Sequence, residues 1–165
     1  MTAITDTLPQ ALGLVAAFAG TFAAAGVGIR ATTAAVNTWY VTLRKPAWVP
    51  SGRAIGLIWT GLYVLMALAA WLVWREQGWD AWPFLVLYAV QLGLNALWSI
   101  LFFGRKNPGA ALAEIVVLWA AILATLVAFW LVTPWAGLLF VPYLAWVTFA
   151  ANLNRIVVRM NPATA

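Results

Sequence analysis

The sequence predicts an all-α integral membrane protein, a five transmembrane helix bundle, and three observations carry that prediction. Hydrophobic residues make up 65% of the chain and charged residues 8%, with a mean hydropathy of +0.94, well outside the range of soluble domains. The few charges bracket long uncharged intervals, each of the length a bilayer core of roughly 30 Å requires of a helix. The apolar runs are continuous rather than alternating, which excludes a closed β-barrel, the one other architecture lipid tolerates. With 165 residues, the expectation is one transmembrane domain over 1–165.

The elements follow from those intervals. Asp6 to Arg30 encloses the first span, about 9–29; Arg53 to Arg75 the second, 54–74; and Asp80 to Arg105 the third, 82–103. Glu114 to Arg155 encloses room for two spans, and Thr133-Pro134 near its middle opens a new helix. The fourth and fifth spans are therefore about 109–131 and 134–157, with loop one over 30–53. Ala17-Phe18-Ala19 resembles a signal-peptidase site, but no Lys or Arg precedes it, so the first span is read as a retained helix.

Orientation comes from the basic residues. Arg30, Arg44, Lys45, Arg53, Arg105, Lys106, Arg155 and Arg159 lie on the loop-one side, and Arg75 alone lies on the other. Cytoplasmic loops carry such an excess, so the N-terminus is expected outside, periplasmic in a bacterial setting, and the C-terminus in the cytoplasm. The net charge of +5 is a topology signal, not a nucleic-acid footprint, and no nucleic-acid partner is expected.

The chain has no Cys and no His, which removes thiolate metal sites, cysteine nucleophiles, histidine haem ligation and Ser/His/Asp triads. Glu114 is the one carboxylate expected inside a span, so no carboxylate pair exists for acid/base work. No catalytic residue and no metal site are assigned, and the protein is expected to act by binding, with no obligatory cofactor.

Of twelve tryptophans, Trp39, Trp48, Trp74, Trp79, Trp82, Trp130 and Trp135 fall at span ends, where indole rings anchor at the headgroups. Trp59, Trp71, Trp98, Trp119 and Trp146 fall inside spans. At 1.5 Å per residue, Trp59 and Trp98 lie at similar depth on the loop-one side. Gln91, Asn95, Trp98 and Phe102 form one helical stripe; Tyr143, Trp146, Ala150, Leu153 and Asn154 form another; Glu114 and Trp119 approach from the same side. Polar side chains in lipid face a partner or a cavity. Two readings stay open at this point: Gln91, Asn95 and Asn152 glue the helices together, or the stripes line an aromatic cavity for a flat apolar ligand. Loop one, rich in proline and aromatic residues, has the make-up of a lid.

Trp39-Tyr40, Leu43, Lys45-Pro46, Trp48 and Pro50, followed by Trp59, Leu62-Tyr63 and Met66, resemble the translocator protein and tryptophan-rich sensory protein family, the peripheral benzodiazepine receptors. Gln91-Leu92, Leu94-Asn95, Trp98 and Phe102-Phe103-Gly104 are similar to its third helix, and Pro142-Tyr143-Leu144-Ala145-Trp146, Phe149-Ala150 and Leu153-Asn154 to its fifth. The similarity spans about residues 10–161. It implies a membrane receptor or sensor that binds porphyrins (protoporphyrin or haem), sterols and benzodiazepine-type drugs in a pocket capped by loop one. Trp59, Asn95, Trp98, Trp146, Ala150 and Leu153 match its pocket positions; Trp39, Phe102, Tyr143 and Asn154 complete the candidate ligand-binding set, with Lys45, Pro46, Trp48 and Pro50 as lid residues. The family also implies a homodimer, for which Ala89 and Gly93 offer a small-xxx-small pair, with Gly20 and Ala24 competing. The alternatives are a tetrapyrrole or sterol transporter and, more weakly, a porphyrin-degrading enzyme. Two departures stand out: Arg155 replaces the tyrosine of a proposed cholesterol motif, which weakens the sterol case, and Ser51 replaces a proline, which implies a looser lid hinge.

Overall fold

The computed structural model describes residues 3–162, with side chains from residue 8 onward. Residues 1, 2 and 163–165 of the expected domain, and the side chain of Asp6, lie outside the described residues. The elements are α1 (Ala3–Ala35), the short α2 (Trp39–Thr42), α3 (Gly52–Gln77), α4 (Trp82–Ser99), a π-helical turn (Ile100–Gly104), α5 (Pro108–Val132) and α6 (Pro134–Met160).

Four helical stretches are long and apolar enough to cross a membrane, and one of them, Gly52–Gly104, runs for 53 residues. At 1.5 Å per residue a straight helix of that length would measure about 80 Å, far more than a bilayer. It is two spans. Gly78 ends α3 at φ 56°, a backbone angle glycine adopts without steric cost, and its N–H closes on the Trp74 carbonyl. The chain then reverses through a short 3-10 turn, Gly78–Ala81. The reversal is fixed by Tyr63, whose hydroxyl donates to Asn95 Oδ1 at 2.9 Å across 32 residues of sequence. The bundle therefore has five membrane-spanning helices, α1, α3, α4, α5 and α6.

Several ends follow directly from local chemistry. Ser51 caps α3 by accepting from the Ala54 N–H at 3.3 Å, and Asn107 caps α5 by accepting from Ala110 at 2.8 Å. Pro108 and Pro134 open α5 and α6 in their first turns, where a missing N–H costs nothing. Ser51 thus gives the lid hinge a defined helix start, a role the missing proline could not supply.

The ends differ from the sequence expectation chiefly at α1, which runs to Ala35 instead of about residue 29. The polar Thr32 and Thr33 are accommodated there by donating to the Gly28 and Ile29 carbonyls of their own helix at 2.9 and 3.0 Å. Loop one is correspondingly shorter and contains α2. The third span is also not a simple α-helix to residue 103. It ends in the π turn, closed by Arg105 N–H to the Ile100 carbonyl at 2.7 Å.

Helix packing in lipid rests on close approach and interhelical hydrogen bonds more than on the hydrophobic effect. At the end remote from loop one, the Trp74 indole lies on α1 where Gly13 has no side chain; a Cβ there would come within 2.2 Å of Trp74 Cδ1. Trp71 and Trp74 donate their indole N–H groups to the Gln10 and Pro9 carbonyls at 3.1 and 3.3 Å. Gly137 plays the same part between α6 and α5, since a Cβ would meet Trp130 Cα at 2.9 Å.

Candidate functional site

A cavity of about 530 Å³ opens at the loop-one end between α1, α3, α4 and α6. Its walls are two sets of rings. On α3 and α6, Trp59 stacks on Tyr63 (5.5 Å between centroids) and stands perpendicular to Trp146 (6.4 Å), which stacks on Phe149 (5.2 Å). On α4 and the π turn, Trp98 stacks on Phe102 (5.1 Å), and Phe103 meets Phe102 edge-on (4.8 Å). A π turn admits one extra residue per turn and recurs at functional sites. Here it lets the adjacent Phe102 and Phe103 rings both line the space. Ala150 and Leu153 keep the α6 wall low between the rings, and Gly28, Ile29 and Thr32 of α1 close the far side.

The cavity offers few free polar groups. Trp98 Nε1 donates to Asn154 Oδ1 at 3.1 Å, and Asn154 Nδ2 donates to the Pro108 carbonyl at 2.9 Å. Thr32, Thr33 and Thr60 donate to carbonyls of their own helices. Arg53, exposed at the rim, is the one charged side chain among the lining residues. Beneath the rings the floor is a hydrogen-bonded chain: Tyr63 donates to Asn95, and Asn95 Nδ2 donates to the Tyr143 hydroxyl at 3.1 Å.

The structure thus brings Trp59, Trp98, Phe102, Trp146, Ala150, Leu153 and Asn154 to one surface. Asn95 and Tyr143 stand behind that surface, 4% and 0% exposed, as the chain that holds Tyr63 in place. Trp39 packs edge-on against Phe102 at 5.8 Å from outside the lining. Of the three amides read as helix glue, Asn95 joins helices and Gln91 makes no hydrogen bond among the described residues, whereas the rings beside them line the cavity. Asn152 is exposed and does neither. Glu114 and Trp119 do not reach the cavity; Trp119 donates to Thr148 Oγ1 at 2.8 Å on the outside of the α5–α6 pair.

Loop one is latched down at several points. Asn161 at the end of α6 accepts from Arg44 N–H and donates to the Arg44 carbonyl, both at 2.9 Å. Lys45 Nζ donates to the Tyr40 and Leu43 carbonyls and lies 4.2 Å from the centre of the Tyr40 ring. Burial pushes the Tyr40 hydroxyl up and the Lys45 ammonium down from their ordinary values. Trp48 meets Phe149 edge-on at 5.7 Å. Lys45, Pro46, Trp48 and Pro50 themselves are outside the lining, and the loop reaches it through Tyr40.

Sequence reasoning missed the α1 face, Tyr40, Tyr63, Phe149 and Arg53. Phe149 falls three residues after Trp146 and Tyr63 four after Trp59, so helical spacing from the chosen tryptophans would have found both. Nothing in the sequence of α1 distinguishes its cavity face from its lipid face.

Ala89 and Gly93 line a second hollow, of about 850 Å³, between α1 and α4 at the opposite end. Gly20 and Ala24, the competing small pair, line the same hollow from α1.

These features define a class: a multi-pass helical membrane protein built around an aromatic cavity within its own helices. The chain belongs to the TspO/MBR family, whose model matches residues 13–159. It is 45% identical over 140 residues to the tryptophan-rich sensory protein of Cereibacter sphaeroides, covering 83% of this chain and 87% of that one. It is 37% identical over 150 residues to the tryptophan-rich protein TspO of Archaeoglobus fulgidus, covering 91% and 97%. Human translocator protein is 38% identical over 158 residues, covering 94% and 87%.

Proposed function

We propose that the protein is a membrane receptor that takes a flat, largely apolar ligand of the porphyrin type into the loop-one cavity. The observation that supports this reading most is the pairing of ring walls with a nearly unpolar interior. Aromatic faces favour offset or edge contacts with a planar π system, and about 530 Å³ lies within the range of small-molecule sites. Arg53 at the rim supplies a cation for an acidic substituent such as a propionate, with Arg44 and Lys45 close by in loop one. The chain has no His and no Cys, so iron adds little affinity, and metal-free protoporphyrin and haem bind comparably. The hydrogen-bonded floor of Tyr63, Asn95 and Tyr143 favours a dead-end pocket over a transport path. Sterol binds weakly, because Arg155 stands where the cholesterol motif carries tyrosine.

The test is a fluorescence titration of the purified protein with protoporphyrin. Saturable tryptophan quenching with micromolar affinity, about 8 kcal/mol, is expected. Quenching that fails to saturate would place the ligand on the lipid-facing surface.

The excess of Arg and Lys at the loop-one end supports a cytoplasmic C-terminus. Phosphatase and fluorescent-protein fusions at residue 165 check it, and an active periplasmic phosphatase would reverse the orientation. The small residues of the second hollow support a homodimer that uses Ala89 and Gly93, which Gly93→Leu would weaken in light-scattering measurements.

A further inference from the structure

We propose that Glu114 and Gln91 form a second polar site, separate from the aromatic cavity, which holds a proton between α4 and α5 and is linked to the cavity floor through Tyr143, Asn95 and Tyr63. Glu114 is 8% exposed and Gln91 is 0% exposed. Among the described residues, neither Glu114 oxygen has a hydrogen-bond partner, and neither Gln91 amide atom has one.

Helix register puts the two at one depth. Trp98 on α4 and Pro108 on α5 are joined through Asn154. Counting seven residues back from Trp98 reaches Gln91, and counting six forward from Pro108 reaches Glu114. At 1.5 Å per residue both lie about 10 Å below that junction, on the buried faces of two packed helices.

Among the described residues, the surroundings supply no buried counter-charge. The helices packed against α5 are α3, α4 and α6, and their buried titratable groups are Tyr63, Tyr88 and Tyr143. The cations near its loop-one end, Arg105 and Lys106 by the π turn and Arg155 and Arg159 on α6, are exposed. A carboxylate without a partner is expensive in hydrocarbon. A carboxylic acid presents one donor and one acceptor, and a primary amide presents the complementary acceptor and donor. Gln91 Nε2 reaches no acceptor in this structure, so the pair closes by side-chain rotation: a proton taken from solvent onto Glu114 then satisfies Gln91 Oε1 through the new O–H, while the acid carbonyl accepts from Gln91 Nε2. No other bond forms or breaks.

The link to the cavity uses the floor. Tyr143 lies on α6, which packs along α5, the helix of Glu114. The Tyr143 hydroxyl accepts from Asn95, Asn95 accepts from Tyr63, and the Tyr63 ring stacks under Trp59. A ligand that displaces Trp59 thereby shifts the electrostatic setting of the acid. This link rests on the ligand reading above; the proton site does not.

Infrared difference spectroscopy of the full-length protein in lipid nanodiscs separates the two. The wild type at neutral pH should show the carbonyl stretch of a protonated carboxyl, absent in Glu114→Gln and shifted in Gln91→Leu, with Gln91→Met as the second variant if leucine impairs folding by circular dichroism. Protoporphyrin should shift the band in the wild type and not in Tyr143→Phe. No such band in the wild type, or its survival in Glu114→Gln, overturns the proton site. A band unmoved by either Gln91 variant overturns the pairing. A band unmoved by protoporphyrin while tryptophan quenching saturates overturns the link. Absence of quenching with the band intact sinks the ligand reading and leaves the proton site standing.

Discussion

The two ends of the bundle are built from different residues and leave different spaces. At the loop-one end, rings from α3, α4, the π turn and α6 stand apart around the cavity; Tyr63 and Trp98 are bonded to Asn95 and Asn154, while the Trp146 indole N–H has no hydrogen-bond partner among the described residues. At the opposite end, α1 and α4 present glycine and alanine, and the hollow of about 850 Å³ between them is larger; of the polar groups on its walls, Trp74 donates to the Pro9 carbonyl and Tyr88 pairs with Thr21, while Trp79 stands exposed. The contrast teaches that volume alone does not mark a ligand site in a membrane protein. Small residues let helix backbones approach, and where no helix fills the gap the result is a groove for lipid or another helix. Rigid rings held by a hydrogen-bonded floor make a shaped space.

The largest effect should come from breaking the close α5–α6 packing at the end remote from loop one. Gly137→Val places a branched side chain where even a Cβ meets Trp130 Cα at 2.9 Å. A backbone atom cannot swing aside as a side chain can. Destabilisation of about 3 kcal/mol is expected, the upper part of the range for overpacking, read as a lowered melting temperature in detergent. Gly20→Val serves as the control, since nothing lies within 4 Å of a Cβ there.

Next in size is the effect on ligand binding. Trp146→Ala should weaken protoporphyrin by about 1 to 3 kcal/mol, the range for a base stacked on an aromatic side chain. Ala150→Leu should cost at least tenfold, about 1.4 kcal/mol, by filling the cavity without removing a ring. The comparison is sharpened by Ala89→Leu, which fills the second hollow and should leave the protoporphyrin titration unchanged. Equal losses from Ala150→Leu and Ala89→Leu would erase the distinction between the two spaces.

How much of this was legible in the sequence depends on the kind of signal. The spans could be read because hydrocarbon imposes length and polarity on every residue of a crossing helix. The ring walls on α4 and α6 could be read because Trp98, Phe102, Trp146 and Ala150 recur at helical spacing. The α1 wall could not, since its cavity face of Phe22, Ala25, Gly28, Ile29 and Thr32 is the same mixture of small and apolar residues as the rest of the helix, and its threonine bonds back to its own backbone. The π turn was hidden as well: Ile100-Leu101-Phe102-Phe103 fits an α-helix equally well, and the extra residue per turn is chosen by the packing of two adjacent rings. The roles of Asn95 and Asn154 divide for a similar reason. Both lie on an inward stripe, but only the structure shows that Asn154 meets Trp98 at the cavity and Asn95 ties two tyrosines behind it.

The smallest effect concerns the latch over the cavity, and it tests whether loop one controls entry or only shape. Asn161 pairs with Arg44 through both halves of its amide, imitating one rung of a strand ladder between the loop and the end of α6. Removing it in Asn161→Ala frees one donor and one acceptor on exposed Arg44 and the side-chain bond to the Val157 carbonyl, which also accepts from the Asn161 backbone N–H. Water can replace both partners, so the cost should be about 1 kcal/mol, a typical net hydrogen-bond contribution, and it should fall on the loop instead of the bundle. Global melting then stays near wild type, while amide exchange rises over residues 39–50. If the loop gates the cavity, porphyrin association and dissociation both quicken and the equilibrium affinity barely moves, because the latch does not touch the lining. If affinity falls with unchanged rates of entry, the loop shapes the site through Tyr40, and the route to the cavity lies between α1 and α3, where Ile29, Thr33, Leu57 and Thr60 line it with exposed side chains.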